Sequence, residues 1–303
     1  MSEPRDPPVV PNDSNGQDEL DQLVGLLRLE RIDDLLFRGA CRRRPGERVF
    51  GGQVLGQALM AAGLTVDDNR VAHSLHAYFM RPGDSGRPII YTVERARDGG
   101  SFSTRRVVAS QAGKPIFNCS ASFQRVESGE SHQLAMPDAP EPETLPSQGD
   151  IYLRYLDNIP NQYRGGLFAM RPIVLRPTRP EHPVSPGVLP TEHSLWLKAD
   201  GTLTDDPLIH QAILAYASDY RLLVTALRPH GRTLLQGRTQ LASLDHALWL
   251  HRPFRIDDWL LYSFDSPSAS NARGFARGSL FTRDGTLVAS VAQEGLMRPI
   301  DQR

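Results

Sequence analysis

Cysteine is scarce in this sequence: Cys41 and Cys119 are its two thiols in 303 residues. No Cys-x-x-Cys pair and no Cys/His ligand spacing accompanies them, which speaks against a zinc site or a disulfide framework and fits a reducing compartment. Net charge is scarce as well. Lys and Arg total 34 against 35 Asp and Glu, a formal charge of −1, so no bulk basic footprint points to nucleic acid or an anionic membrane. No apolar run approaches the roughly 18 residues of a membrane span. The first residues, MSEPRDPPVVPNDSNGQDEL, lack the charged-then-apolar pattern of a signal peptide, and the last three, DQR, are not the peroxisomal Ser-Lys-Leu address. No Gly-x-Ser-x-Gly elbow is present to frame a serine nucleophile. These absences lead us to expect a cytoplasmic protein with no metal, no cofactor, and neither a nucleic-acid nor a membrane partner.

What is present is ordinary globular composition, 40% hydrophobic and 23% charged, in a length that suggests about two domains. Proline and acidic residues mark three stretches. Residues 1 to 18 are expected to form a disordered tail. Residues 127 to 150 (ESGESHQLAMPDAPEPETLPSQGD) and 176 to 190 (RPTRPEHPVSPGVLP) are expected to hold extended chain without regular elements.

The rest repeats itself. Phe50 to Leu64 (FGGQVLGQALMAAGL) is apolar at helical spacing, and strand-like segments follow: VAHSLHAYFMRP, IIYTV, SFSTRRVVASQ and GKPIFNCSASFQ. In the second block Pro207 to Ser218 (PLIHQAILAYAS) is the helix, followed by LASLDHALWLHRP, LLYSF, SNARGFARGSLFTR and GTLVASVAQEG. Arg81-Pro82 matches Arg252-Pro253, and Ile89-Ile90-Tyr91 matches Leu260-Leu261-Tyr262, both at an offset of 171. A constant offset argues for duplication of one unit, a long helix followed by four antiparallel strands, which makes an α+β layer. The halves are expected at 19–126 and 171–303, joined by a linker over 127–170. They differ chemically: a gapped alignment sets Asp219 opposite Ala61, Ser243 opposite Ala72 and Gln293 opposite Ala121.

Nine segments, in order, carry a resemblance. They include LFRG (36 to 39), VFGGQVLGQAL (49 to 59), HSLHAYFMRPGD (73 to 84), HQAILAYASDY (210 to 220), LASLDHALWLHRPF (241 to 254) and DGTLVASVAQEGLMR (284 to 298). Together they resemble the acyl-CoA thioesterase II family. The resemblance implies a double hotdog, in which each half wraps a curled antiparallel sheet around a long helix. It also implies hydrolysis of fatty acyl-CoA, and a homo-oligomer, either a dimer or a dimer of dimers. The family's catalytic aspartate, hydroxyl residue and glutamine fall on Asp219, Ser243 and Gln293.

Such a trio suits direct attack by water on a thioester carbonyl, which needs a carboxylate base and groups to fix the water. Strand alternation puts Ser243 and His246 on opposite faces, a poor geometry for a nucleophilic dyad. Gly51-Gly52 opens the first helix, and Gly52 N–H is expected to polarise the thioester carbonyl. Arg105, Arg106, Arg273 and Arg277 are candidates for CoA phosphates, although polar strand faces explain them as well. Leu55, Leu59, Ile213 and Tyr216 suit either an acyl tunnel or the core. His73 and His76 read as packing residues, with no partner at metal spacing. Two other readings stay open: hotdog hydratase chemistry, and an acyl-CoA sensor without turnover.

Overall fold

The computed structural model describes residues 16–42, 48–168 and 172–300. Five α-helices lie in these stretches: α1 (Gly16–Leu27), α2 (Gly51–Gly63), α3 (Gln148–Arg154), α4 (Asn161–Phe168) and α5 (Pro207–Ser218). Thirteen strands accompany them. The first half carries β1 (Glu30–Asp33), β2 (Leu36–Gly39), β3 (Arg70–Phe79), β4 (Ile89–Asp98), β5 (Phe102–Gln111) and β6 (Lys114–Arg125). The second carries β7 (Ile173–Pro177), β8 (His193–Ala199), β9 (Thr239–Ser243), β10 (Asp245–Leu250), β11 (Leu260–Ser270), β12 (Arg273–Thr282) and β13 (Leu287–Pro299).

All belong to one antiparallel sheet, in the order β1-β2-β4-β5-β6-β3-β10-β13-β12-β11-β8-β7, with β9 also paired to β13. The second half of that order mirrors the first, strand for strand. The halves join where β3 and β10 pair antiparallel, with Leu75 opposite Leu248. Register repeats too. Ile90 faces Ser110 in one half and Leu261 faces Phe281 in the other, the partners of each pair 171 residues on.

Burial explains the wrapping. Gly52 to Ala62 of α2 and Ile209 to Ser218 of α5 are buried, so each helix is enclosed nearly all round. Both belong to one core with the inward residues of the strands, among them Leu75, Tyr91, Phe123, Leu248 and Tyr262. Each fully buried side chain of this size contributes about 1.5–3 kcal/mol of transfer free energy. Helix α1 adds Leu20, Leu23 and Leu27 against both central helices. This is the α+β double hotdog expected from the sequence.

Several boundaries are corrected. The expected tail over 1–18 gives way to α1 at Gly16, and residues 1–15 lie outside the described residues. Each half has a hairpin before its helix (β1–β2 and β7–β8), so four strands after a helix undercounts the unit. Residues 148 to 150 begin α3, because Ser147 and Asp150 form a reciprocal capping box. Residues 176 and 177 belong to β7, whose edge position tolerates Pro177.

The linker is also held rather than slack. Trp196 Nε1 donates to the Pro140 carbonyl at 2.8 Å, and Arg283 pairs with Glu141 and with Glu143. Met136, Ala139 and Leu145 lie on a second small core of Trp196, Leu261, Phe281 and Leu287. The linker thus covers apolar residues on the outward side of the second half.

Candidate active site

Helix α5 stops at Ser218 and is closed by Asp219; two residues on, Arg221 adopts the left-handed region with φ 66°. Antiparallel packing brings the N-terminus of α2 to this point. Gly52 N–H donates to Asp219 Oδ2 at 2.9 Å. The contact requires glycine, since a Cβ on Gly52 would stand 2.2 Å from the Tyr216 carbonyl oxygen. The positive end of α2 therefore faces the carboxylate. Gly52 N–H, expected on the thioester carbonyl, here meets the Asp219 carboxylate.

Gln293 on β13 reaches the other carboxylate oxygen. Its Nε2 donates to Asp219 Oδ1 and to Ser243 Oγ, both at 2.9 Å. The ladder explains its place. Gln293 faces Ala276 on β12, as Ala121 faces Arg105 on β5, so the expected match of Gln293 with Ala121 holds in the sheet. The inward polar residue has moved one strand across. In the first half Arg105 fills this level, binding Thr65 Oγ1 and Thr65 O just beyond α2, both at 2.9 Å. In the second half alanine at 276 leaves the level to Gln293. The helix match is different: counted from the helix ends, Asp219 stands level with Leu64 and not with Ala61.

Ser243 is presented by an irregular strand. The segment expected as one strand is two, broken at Leu244, whose N–H donates to the Glu294 carbonyl at 3.0 Å. Asp245 Oδ1 accepts the Glu294 N–H at 2.7 Å, so a side chain replaces a ladder acceptor. β3 has a register shift at the matching place, between Ala72 and Ser74, so the irregularity belongs to the repeat.

Asp219, Ser243, Gln293 and Gly52 thus converge, three from the second half and one from the first. Gln293 is fully buried, and its Oε1 has no partner among the described residues. Burial raises the Asp219 carboxyl above the usual aspartate range, opposed by hydrogen bonds from Gln293 and Gly52. Desolvation prevails, leaving a carboxylate of increased basicity.

Behind Asp219 lies a network that the sequence does not announce. Ser218 Oγ donates to the Ala215 carbonyl and bonds His246 Nε2, both at 2.9 Å. Tyr262 Oη donates to the Ser218 carbonyl at 2.9 Å. Burial pushes the His246 imidazole down to about 3, so it is neutral and donates from Nε2. Ser218 is fully buried, which makes the pair a brace for the end of α5 and not a nucleophilic dyad. Tyr262→Phe should leave the Ser218 carbonyl unpaired, destabilise the protein by about 1–3 kcal/mol and lower its melting temperature. Thermal unfolding by calorimetry checks this.

Other sequence candidates lie elsewhere. Arg105, with 2% of its side chain exposed, is consumed by Thr65, by Asp98 and by the Arg97 and Thr104 carbonyls. Arg106 pairs with Glu94, Arg273 with Glu294 and Arg277 with Asp265. Leu55, Leu59, Ile213 and Tyr216 belong to the core. His73 bonds Ser122 at 2.8 Å, and His76 lies edge-on to Trp249. Burial pushes the Cys119 thiol up to about 12, which suppresses its thiolate.

Known proteins are similar to this chain over most of its length. Residues 169–296 match the family model described as acyl-CoA thioesterase, and residues 42–124 match the one described as acyl-CoA thioesterase N-terminal domain. Acyl-CoA thioesterase 2 of Haemophilus influenzae is 41% identical over 281 residues, 93% of this chain and 98% of that protein. A crystal structure of an acyl-CoA thioesterase II from Mycobacterium marinum superposes with a TM-score of 0.75 at 41% identity, covering 92% of this chain and 99% of that one. A hot dog fold protein from Alicyclobacillus acidocaldarius has a TM-score of 0.73 at 19% identity over 92% of this chain and 99% of its own, a likeness of fold alone. Two family models in register with the two halves, and such identity over nine-tenths of the length, establish that the chain belongs to the acyl-CoA thioesterase II family.

Proposed function

We propose that Asp219, Ser243 and Gln293 hold and deprotonate a water that hydrolyses fatty acyl-CoA to free fatty acid and CoA. The family is one of thioester hydrolases. The observation that carries the finer reading is the convergence of Gln293 on both Asp219 and Ser243 at 2.9 Å. Gln293 spends both N–H bonds there, and its buried Oε1 remains an acceptor. With the Asp219 carboxylate it offers two acceptors for the two O–H bonds of a water, while the Ser243 hydroxyl donates to the water oxygen. One lone pair is then left to attack the thioester carbon. Asp219 takes the proton as the new C–O bond forms; collapse of the tetrahedral intermediate breaks the C–S bond, and the proton passes to the CoA thiolate.

Incubation with palmitoyl-CoA and a thiol reagent tests the reaction. Release of free CoA is expected. Hydration of an enoyl-CoA without thiol release would move the protein to hydratase chemistry, and binding without either to a sensor.

Acid dependence follows from the raised Asp219 carboxyl. The base must be ionised, so kcat/KM should fall, as pH is lowered, at a higher pH than an ordinary aspartate near 3.9 would give. Gln293→Ala removes a hydrogen bond that favours the ionised form and should push this limb higher still, besides slowing turnover. A pH–rate profile of both proteins reads the shift; a limb at the ordinary aspartate value would count against the assignment.

We further propose a cytoplasmic homo-oligomer, a dimer or dimer of dimers, of two domains divided over 127–170. Cell fractionation, sedimentation velocity and limited proteolysis test these points.

A further inference from the structure

The four candidate arginines are each paired with a carboxylate, and three arginines without such a pair among the described residues gather in another place. A cavity of 160 Å³ opens in the second half, between α3, the segment 177–189 and the turns over 223–235. Arg179, Arg221 and Arg232 line it, and none has a carboxylate partner among the described residues. A fourth arginine there, Arg228, is neutralised by Glu181 at 2.7 Å. Arg221 Nε is buried without an acceptor, and on the α3 wall Gln148 Oε1 is buried without a donor. Such orphaned groups cost about 1–3 kcal/mol each unless something meets them. Ile151 and Val224 contribute to an otherwise largely apolar lining.

Arg221 is also held on purpose. Its left-handed backbone is unusual for a non-glycine residue, and Thr225 Oγ1 donates to its carbonyl at 3.1 Å while bonding His193 at 3.0 Å. Unpaired guanidinium groups favour phosphate oxygens. An apolar wall with one unsatisfied acceptor suits a flat ring bearing an exocyclic amine.

We infer that this cavity takes the phosphorylated adenine-nucleotide end of CoA, with Arg221, Arg179 and Arg232 on the phosphates and Gln148 on the base. The inference rests on the acyl-CoA reading above. Arg221 stands two residues from Asp219, so one short stretch of chain carries both the base and part of the phosphate clamp.

A nucleotide phosphate can come from CoA or from a free effector, and kinetics separates the two. Full-length protein is assayed with palmitoyl-CoA and with palmitoyl-pantetheine, which lacks the nucleotide. Arg221→Gln, and separately Arg179→Gln and Arg232→Gln, should lower the preference for the CoA thioester about tenfold per lost charge-assisted contact, through KM. Adenosine bisphosphate, used as the probe, should bind in calorimetry and inhibit competitively against palmitoyl-CoA. Binding that inhibits without competing would keep the nucleotide site and assign it to an effector. An unchanged CoA preference in all three variants, or no binding of adenosine bisphosphate, overturns the inference. The Arg179 and Arg232 variants lie away from the turn after Asp219, so a misfolded Arg221 variant would not obscure the answer. Wild-type protein that splits neither thioester would refute the reaction itself, and calorimetry would still read the nucleotide.

Discussion

Replacing Asp219 with asparagine is expected to lower kcat for palmitoyl-CoA by about 10²-fold or more, the usual worth of a positioned general base. The substitution nearly preserves volume and leaves a carbonyl oxygen to accept one of the two hydrogen bonds now made to Asp219. What disappears is the basic carboxylate, which burial has made a stronger base than usual. KM should change much less, because the proposed mechanism sets Asp219 on the water and not on the acyl or CoA groups. Steady-state kinetics on folded variant, with the fold checked by circular dichroism, decides the point. A variant with turnover within about threefold of wild type would remove Asp219 from the role of base, since general-base assistance is rarely worth so little.

Gly52→Ala should have the second large effect, on stability and turnover together. Its Cβ would meet the Tyr216 carbonyl at 2.2 Å and the Phe50 ring at 2.5 Å. A ring can turn, but the carbonyl is backbone of a buried helix, so α2 and α5 must move apart. Overpacking of this kind costs about 1–3 kcal/mol. Separation also draws the Gly52 N–H away from Asp219 Oδ2 and misplaces the proposed base. A melting temperature lowered by several degrees, with kcat down by about tenfold or more, is expected. The comparison is Gly56→Ala, which approaches the Ala212 carbonyl at 2.8 Å and lies one turn from the carboxylate. It should share the loss of stability and show less of the loss in turnover.

The duplication was legible because strand ladders preserve offset. Arg81-Pro82 and Arg252-Pro253 stand 171 apart in the sequence, and the paired residues Ile90–Ser110 and Leu261–Phe281 stand the same distance apart in the sheet. The two central helices were legible because nearly every residue in them is buried. Short elements were not: β1 and β2 are four residues each, too brief for a periodicity. The start of α3 did leave a local signal, Ser147 and Asp150 at capping-box spacing, inside a stretch dominated by proline and acid.

In the candidate site the alanine contrast at Ser243 and Gln293 was visible in the repeat, and the family resemblance supplied their meaning. Gly52 was visible as a position needing no side chain, but its hydrogen-bond partner was not, since 167 residues separate it from Asp219. The brace of Ser218, His246 and Tyr262 left no trace in spacing, because it joins a helix end to two strands through buried polar atoms. Arginine type alone misled: Arg105 faces inward on β5, where burial and five hydrogen bonds consume it.

A single turnover of palmitoyl-CoA in heavy-oxygen water, with intact-protein and peptide mass spectrometry, tests direct water attack most sharply. The label should enter the released fatty acid, with no acyl adduct on the protein and no label on the peptide carrying Asp219. An acylated protein, or heavy oxygen in the Asp219 carboxylate after that one turnover, would make the aspartate a nucleophile and contradict the account.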